Sequence, residues 1–299
     1  MLRSVLAQTR PPDHLVVVDN WPSDHNEASV HAVRQSIEHA EYLPSPSNRG
    51  PAGGIAHGME YVLRGAQDED WLLLLDDDDP PADRGDFARQ VEFARHMVTI
   101  DSRTAAVGIT GARFDIRRAR LERVRDGELT GPVSVDTIPG GHLPMYRVEA
   151  IRLVGTFDAA LFFGFEELDY GLRLKKDGYQ LYIDGTHLRT RRERSGSTGT
   201  VRRPSRTISK APTWRQYYST RNTILILLKH RRRWAAIRFS AIVGIGKPLW
   251  NLPRSPRFAL AHLRQNVTAI RHAWTRTTGR TVEPASVTTG PEDSNRGDE

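Results

Sequence analysis

Four consecutive carboxylates, Asp76-Asp77-Asp78-Asp79, follow directly on the apolar run Trp71-Leu72-Leu73-Leu74-Leu75 and stop at Pro80-Pro81. Like charges this close repel, so the cluster needs a cation or water around it. Carboxylates at the tip of a strand can hold a hard divalent ion, and such an ion can bridge a diphosphate. A solvated acidic turn has the same composition; the strand before it and the proline stop after it favour the metal-holding reading.

A second acidic group opens the segment Phe165-Glu166-Glu167-Leu168-Asp169-Tyr170-Gly171-Leu172-Arg173. On a helix, Glu166, Asp169 and Arg173 share one face, which makes Arg173 an ion-pair partner. Glu167 points elsewhere and is free to meet a substrate hydroxyl as a general base. The competing role for these acids is to complement the helix N-terminus.

Three weaker signals accompany them. Val16-Val17-Val18-Asp19-Asn20, with Ser23 and Asp24 behind, ends a strand on a carboxylate that can accept from a base ring or a ribose hydroxyl, or simply form a turn. Asn48-Arg49-Gly50-Pro51-Ala52-Gly53-Gly54 enters a helix through small residues, which suits either close approach to phosphate or close helix–sheet packing. His187 follows a strand and becomes a metal ligand only beside the aspartates.

Residues 14–19, 71–75, 105–110 and 179–184 read as strands. Residues 27–40, 51–64, 84–98, 147–153 and 166–177 read as helices, the last closed by Gly178. This alternation predicts an α/β fold with a mostly parallel sheet flanked by helices and ligands at the carboxyl ends of strands. Residues 131–188 are more irregular and contain Gly140-Gly141.

The chain has 299 residues, no cysteine and a net charge of +7. Disulfides, thiolate nucleophiles and zinc–cysteine sites are therefore excluded. Apolar runs fall short of the roughly 20 residues that a spanning helix needs, and the N-terminus lacks a signal-peptide core. The charge is uneven: residues 1–188 carry 20 Lys and Arg against 30 Asp and Glu, whereas residues 189–280 carry 22 against Glu193 alone. The expected layout is an acidic domain over 1–190, a basic flexible loop over 191–212, basic amphipathic helices over 213–280 and a disordered tail over 281–299.

The ordered set VVVDN, NRGPAGG, LLLLDDDDP, GG, FEELDYGLR followed by Gly178-Tyr179, and His187 resembles the family 2 glycosyltransferases of GT-A fold over roughly residues 1–190. It is most similar to rhamnosyltransferase-like and galactofuranosyltransferase-like members. Tyr217-Tyr218-Ser219-Thr220-Arg221-Asn222 and Lys229-His230 are similar to a segment that follows the catalytic domain there. The resemblance implies an inverting sugar transfer from a UDP- or dTDP-linked sugar. It assigns Asp76, Asp78 and His187 to Mn²⁺ or Mg²⁺, and Asp19, Asn48, Gly50, Gly53 and Asp77 to the donor. Glu167 stands where the family has an Asp base, with Glu166 as the substitute. Met1–Thr9 matches the end of the family's first helix, so the first strand, about 20 residues in all, is expected to be missing, leaving a sheet edge exposed.

Aromatic residues interleaved with arginine in the basic part suit an anionic membrane interface, and Arg173, Trp214 and Arg221 are candidates to hold a lipid-phosphate acceptor. The alternatives are a solvated helical annex and a nucleic-acid binder; no nucleic acid is expected. The resulting expectation is a peripheral enzyme of cell-wall polysaccharide synthesis on the inner, cytoplasmic face of the membrane, acting on a lipid-linked or cell-envelope glycan. A catalytically degenerate membrane- or partner-binding relative is the alternative.

Overall fold

The computed structural model describes residues 1–21, 40–199, 214–253 and 255–283. The helix expected from residue 27, together with Ser23 and Asp24, lies outside the described residues, as do 200–213 and the tail from 284.

After a short helix α1 (Leu2–Leu6), strands β1 (Leu15–Asp19) and β2 (Ala40–Pro44) pair in parallel as a two-stranded sheet. Helix α2 (Gly50–Val62) packs on β1, where a Cβ on Gly58 would lie 2.8 Å from Val18 Cγ2. The central sheet contains β3 (Trp71–Leu73), β4 (Thr104–Gly108), β7 (Pro132–Val135), β8 (Met145–Arg147) and β9 (Gln180–Asp184), in the order β3-β8-β4-β9-β7. A hairpin of β5 (Ala112–Asp115) and β6 (Arg120–Arg123) stands apart.

The expectation of a mostly parallel sheet is corrected here. Only β4 and β9 pair in parallel in the central sheet; β8 runs antiparallel to β3 and β4, and β7 antiparallel to β9. The reversing strands are three and four residues long and sit in the glycine-rich stretch, where period-two patterning is too short to read. Among the described residues β1 and β3 each have one hydrogen-bonded neighbour, and all of β1 is only half-buried.

Helices cover both faces. Val107 and Met145 pack on Ala94 and Met97 of α3 (Asp86–Ile100). Tyr146 and Leu181 pack with Tyr170 and Leu174 of α5 (Glu166–Lys176), and α4 (Val148–Val154) adds Ile151. Gly178, at φ +85°, closes α5 as its sequence indicated. The start of the loop expected over 191–212 is instead helical to Arg194 in α6 (Gly185–Arg194), whose N-cap Asp184 accepts from His187 N at 3.0 Å.

The basic part consists of α7 (Trp214–Lys229), then α8 (Arg233–Phe239), which runs through a π-helical turn (Ser240–Gly246) into α9 (Lys247–Trp250), and finally α10 (Pro256–Trp274). Helix α7 is no surface helix: Tyr217, Tyr218, Ile224 and Leu227 are fully buried.

Candidate active site

The aspartate cluster leaves the end of β3 and meets the turn Gly140–His142. A Cβ on Gly140 would lie 2.8 Å from Asp76 Oδ2, and one on Gly141 would collide with Asp79. The two glycines are therefore the cradle of the acidic tip. The amide of Gly140 also donates to Glu167 Oε1 at 3.2 Å. Asp76 and Glu167, 91 positions apart in sequence, thus both meet Gly140.

This proximity marks all three carboxyls. Burial raises Asp76, with Asp78, Asp77 and Asp79 adding repulsion. Burial raises Glu167, and Asp76 pushes in the same direction. Glu166, 5% exposed and with Oε2 lacking a partner, is pushed up to about 8 by burial and then by Glu167. Burial and mutual repulsion thus favour a proton on this pair and make its carboxylates stronger bases than one in water.

Could a divalent ion sit there? The chemistry of the donor set fits: crowded carboxylate oxygens, repelling one another at a glycine-lined tip, suit Mg²⁺ or Mn²⁺. Among the described residues no three His, Asp and Glu side chains form a complete cage, and an ion bridging a diphosphate takes its other oxygens from phosphate and water. His187 is not brought to that tip. Its charge environment is that of Arg89, Asp184 and Asp86, and burial lowers it. The histidine near the cluster is His142, which feels Asp79 and has a buried Nδ1 without a partner. Sequence reading passed over it, although it follows Gly140-Gly141 directly.

At the other end, Asp19 Oδ2 accepts from Tyr42 at 3.0 Å and Oδ1 from the Trp21 amide at 3.1 Å. Asn20 Oδ1 accepts from the Arg49 amide, and Asn48 Oδ1 from the Gly50 amide, which ties the end of β1 to the start of α2. Gly50, at φ +68°, has no room for a Cβ because the Phe162 carbonyl is there. Gly54 faces the Asn20 side chain and Gly53 the Arg49 side chain. Close packing accounts for these glycines.

Phe162 belongs to the loop that delivers Glu166. Phe162 at φ +63°, Gly164 at +81° and Phe165 at +66° all take left-handed backbone, a cost of about 1–3 kcal/mol for each non-glycine. What holds them comes from α7. Asn222 Nδ2 donates to the carbonyls of Leu161, Phe163 and Gly164 at 2.8–3.0 Å. Arg221, fully buried, donates to Leu161 O at 2.8 Å, Gly279 O at 2.8 Å and Asn222 Oδ1 at 3.0 Å, and its plane lies 4.7 Å from the Tyr218 ring. Trp214 packs edge-on against Phe163. Arg173 reaches buried Asp169 at 2.9 Å and the carbonyls of Val154 and Thr156, while Lys229 reaches Asp169 at 2.9 Å and Asp158 at 3.0 Å. All three side-chain nitrogens of Arg221, fully buried, and of Arg173 bond within the chain. The expectation that they receive acceptor phosphate is therefore corrected; they hold the loop 158–165 and helix α5 in place.

Residues 1–152 match the family described as glycosyl transferase family 2. The chain is 32% identical over 179 residues to galactofuranosyltransferase GlfT1 of Mycobacterium tuberculosis H37Rv, covering 58% of each chain. It is 30% identical over 187 residues to GlfT1 of Mycolicibacterium smegmatis, covering 59% of this chain and 60% of that one. The match thus spans about three-fifths of these relatives' length. In fold, the chain superposes on the crystal structure of GalNAc-T7 with UDP, GalNAc and Mn²⁺ at a TM-score of 0.51 and 13% identity, over 76% of this chain and 44% of that one.

Proposed function

The chain belongs to glycosyl transferase family 2, and from that premise we propose that it transfers a galactofuranose- or rhamnose-type sugar, with inversion, from a nucleotide-diphosphate sugar to a lipid-linked or cell-envelope glycan at a membrane surface. The galactofuranosyltransferase relatives favour galactofuranose. The observation that carries the reading is Gly140, closely approached by Asp76 and hydrogen-bonded to Glu167.

In the proposed reaction, Glu167 takes the proton of the acceptor hydroxyl while that oxygen bonds to the anomeric carbon. The bond from that carbon to the diphosphate oxygen breaks on the opposite face, and the pair of electrons leaves with the diphosphate. Protonated Glu166 keeps a second negative charge away from the base. Asp76 and Asp78 would hold Mn²⁺ or Mg²⁺, which when bound neutralises the departing diphosphate. Asp19 holds the base or ribose, and Asp77 with the Asn48–Gly53 turn lines the donor side.

The test is Asp78→Ala with UDP-galactofuranose and dTDP-rhamnose as donors. Loss of metal-dependent thermal stabilisation by donor, together with loss of transfer and an intact fold, supports the assignment. Unchanged transfer removes the aspartates from the mechanism. No donor binding by the unmodified protein favours the degenerate relative.

A further inference from the structure

The hairpin of α8–α9 and α10 is built inside out. Over 233–250, a continuous helix about 27 Å long, the side toward the protein carries Ala236, Ser240, Gly244 and Pro248, one every four residues, all buried. The outward side carries Trp234, Ile242, Ile245, Leu249 and Trp250, of which Trp234 is 83%, Trp250 73% and Ile242 59% exposed. Helix α10 repeats this, burying Ala259, His262, Asn266, Ala269 and Ala273 and exposing Phe258 and Leu260.

At the Gly244 end the contact between these helices is polar, whereas at the Ala236 end Ala235, Phe239, Ile270 and Ala273 join the apolar cluster around Ile224 and Leu227. Asn266 Nδ2 donates to Gly244 O at 2.9 Å and its Oδ1 accepts from Thr220 at 3.4 Å. A cavity of about 330 Å³ there is lined by Thr220, Thr223, His262 and Asn266 among others. Gly244 has no room for a side chain because Ile270 fills it.

In water a helix pair turns its large apolar groups inward and its polar groups outward. Small residues at the contact, polar side chains bonded across it and large apolar groups outside make up the arrangement that packs in lipid. No described helix is long and apolar enough to cross a bilayer. Exposed Arg231, Arg232, Arg233, Lys247 and Arg257 flank the ridge, and the sequence holds no acid from Arg194 to Val282. That charge favours an anionic lipid surface over the same, equally basic face of a second copy.

We propose that the hairpin 233–274 lies side-on in the headgroup boundary of an anionic membrane, with its aromatic and aliphatic ridge among the acyl chains. This deepens and rests on the membrane partner proposed above, yet lipid contact is read without sugar transfer, so either can fail alone.

The full chain is floated with vesicles of phosphatidylcholine alone and of equal parts phosphatidylcholine and phosphatidylglycerol, the latter also with brominated acyl chains. Expected results are flotation with the anionic vesicles, partial retention in high salt because apolar burial is not screened, and quenching of tryptophan fluorescence that W234F/W250F removes. The ridge variant I242D/L249D, with an unchanged melting temperature, floats about tenfold less. Three results overturn the proposal: full release by salt with no quenching, flotation of I242D/L249D equal to the unmodified chain, or a dimer that I242D/L249D dissociates while vesicles bind neither form.

Discussion

Arg221 and Leu161 stand 60 positions apart in the chain and 2.8 Å apart in space. The guanidinium that composition assigns to a basic surface is instead buried, bonded to the main chain of the loop that delivers Glu166. Asn222 finishes the same grip on Phe163 and Gly164.

Removing that grip tests it directly. Asn222→Ala takes the side-chain donor from the half-buried carbonyls of Phe163 and Gly164, while Leu161 O keeps Arg221, and is expected to destabilise the fold by about 1–3 kcal/mol, measured by urea unfolding. The left-handed residues Phe162 and Phe165 lose their clamp, so transfer should fall more than donor binding. A loss of stability with unchanged turnover number would leave Asn222 purely structural.

Glu167→Gln keeps the side chain's shape and its contact with the Gly140 amide but takes no proton. Turnover is expected to fall by about 10²–10⁴-fold with donor affinity retained, read by transfer kinetics beside calorimetry. Persistent transfer would move the base to Glu166.

Gly140→Ala puts a methyl group 2.8 Å from Asp76 Oδ2. The carboxylate and the turn must part, so metal-dependent donor binding is expected to weaken about tenfold or more while the melting temperature in metal-free buffer changes little. Titration of donor with Mn²⁺ reads the difference.

Glu166 gives stability a pH dependence. Its folded-state value, about 8, lies above the ordinary 4.5. The folded chain therefore binds a proton that the unfolded chain has lost, and stability declines as pH rises through that window. In metal-free buffer Glu166→Gln should flatten the decline and melt higher than the unmodified chain at the alkaline end. Parallel melting curves across the window would show Glu166 ionised in the fold.

What could be read from sequence follows from range. The strand at Trp71 and the acidic tip are visible because apolar and charged runs abut there, and α5 is visible because Asp169 and Arg173 are four apart. Strands β7 and β8 are too short for a period to register, so the sheet was expected to be mostly parallel. The hairpin at 112–123, Ala-Arg-Phe-Asp-Ile-Arg-Arg-Ala-Arg-Leu-Glu-Arg, hides its alternation under arginine. Three partners of Arg221, at Ala160, Leu161 and Gly279, are main-chain carbonyls, which have no letter in the sequence. His187 was the only histidine the sequence offered as a ligand, and His142 came into view only when the turn at Gly140 was placed.

The loop 158–165 is gripped on both sides: Phe162 O accepts from Ala52 N at 3.3 Å while α7 holds the carbonyls on either side of it. The change in charge near residue 190 is thus no place to cut. A chain shortened there would keep every carboxylate named above and still lack the splint that sets their spacing, so the acidic half and the basic half must be made together.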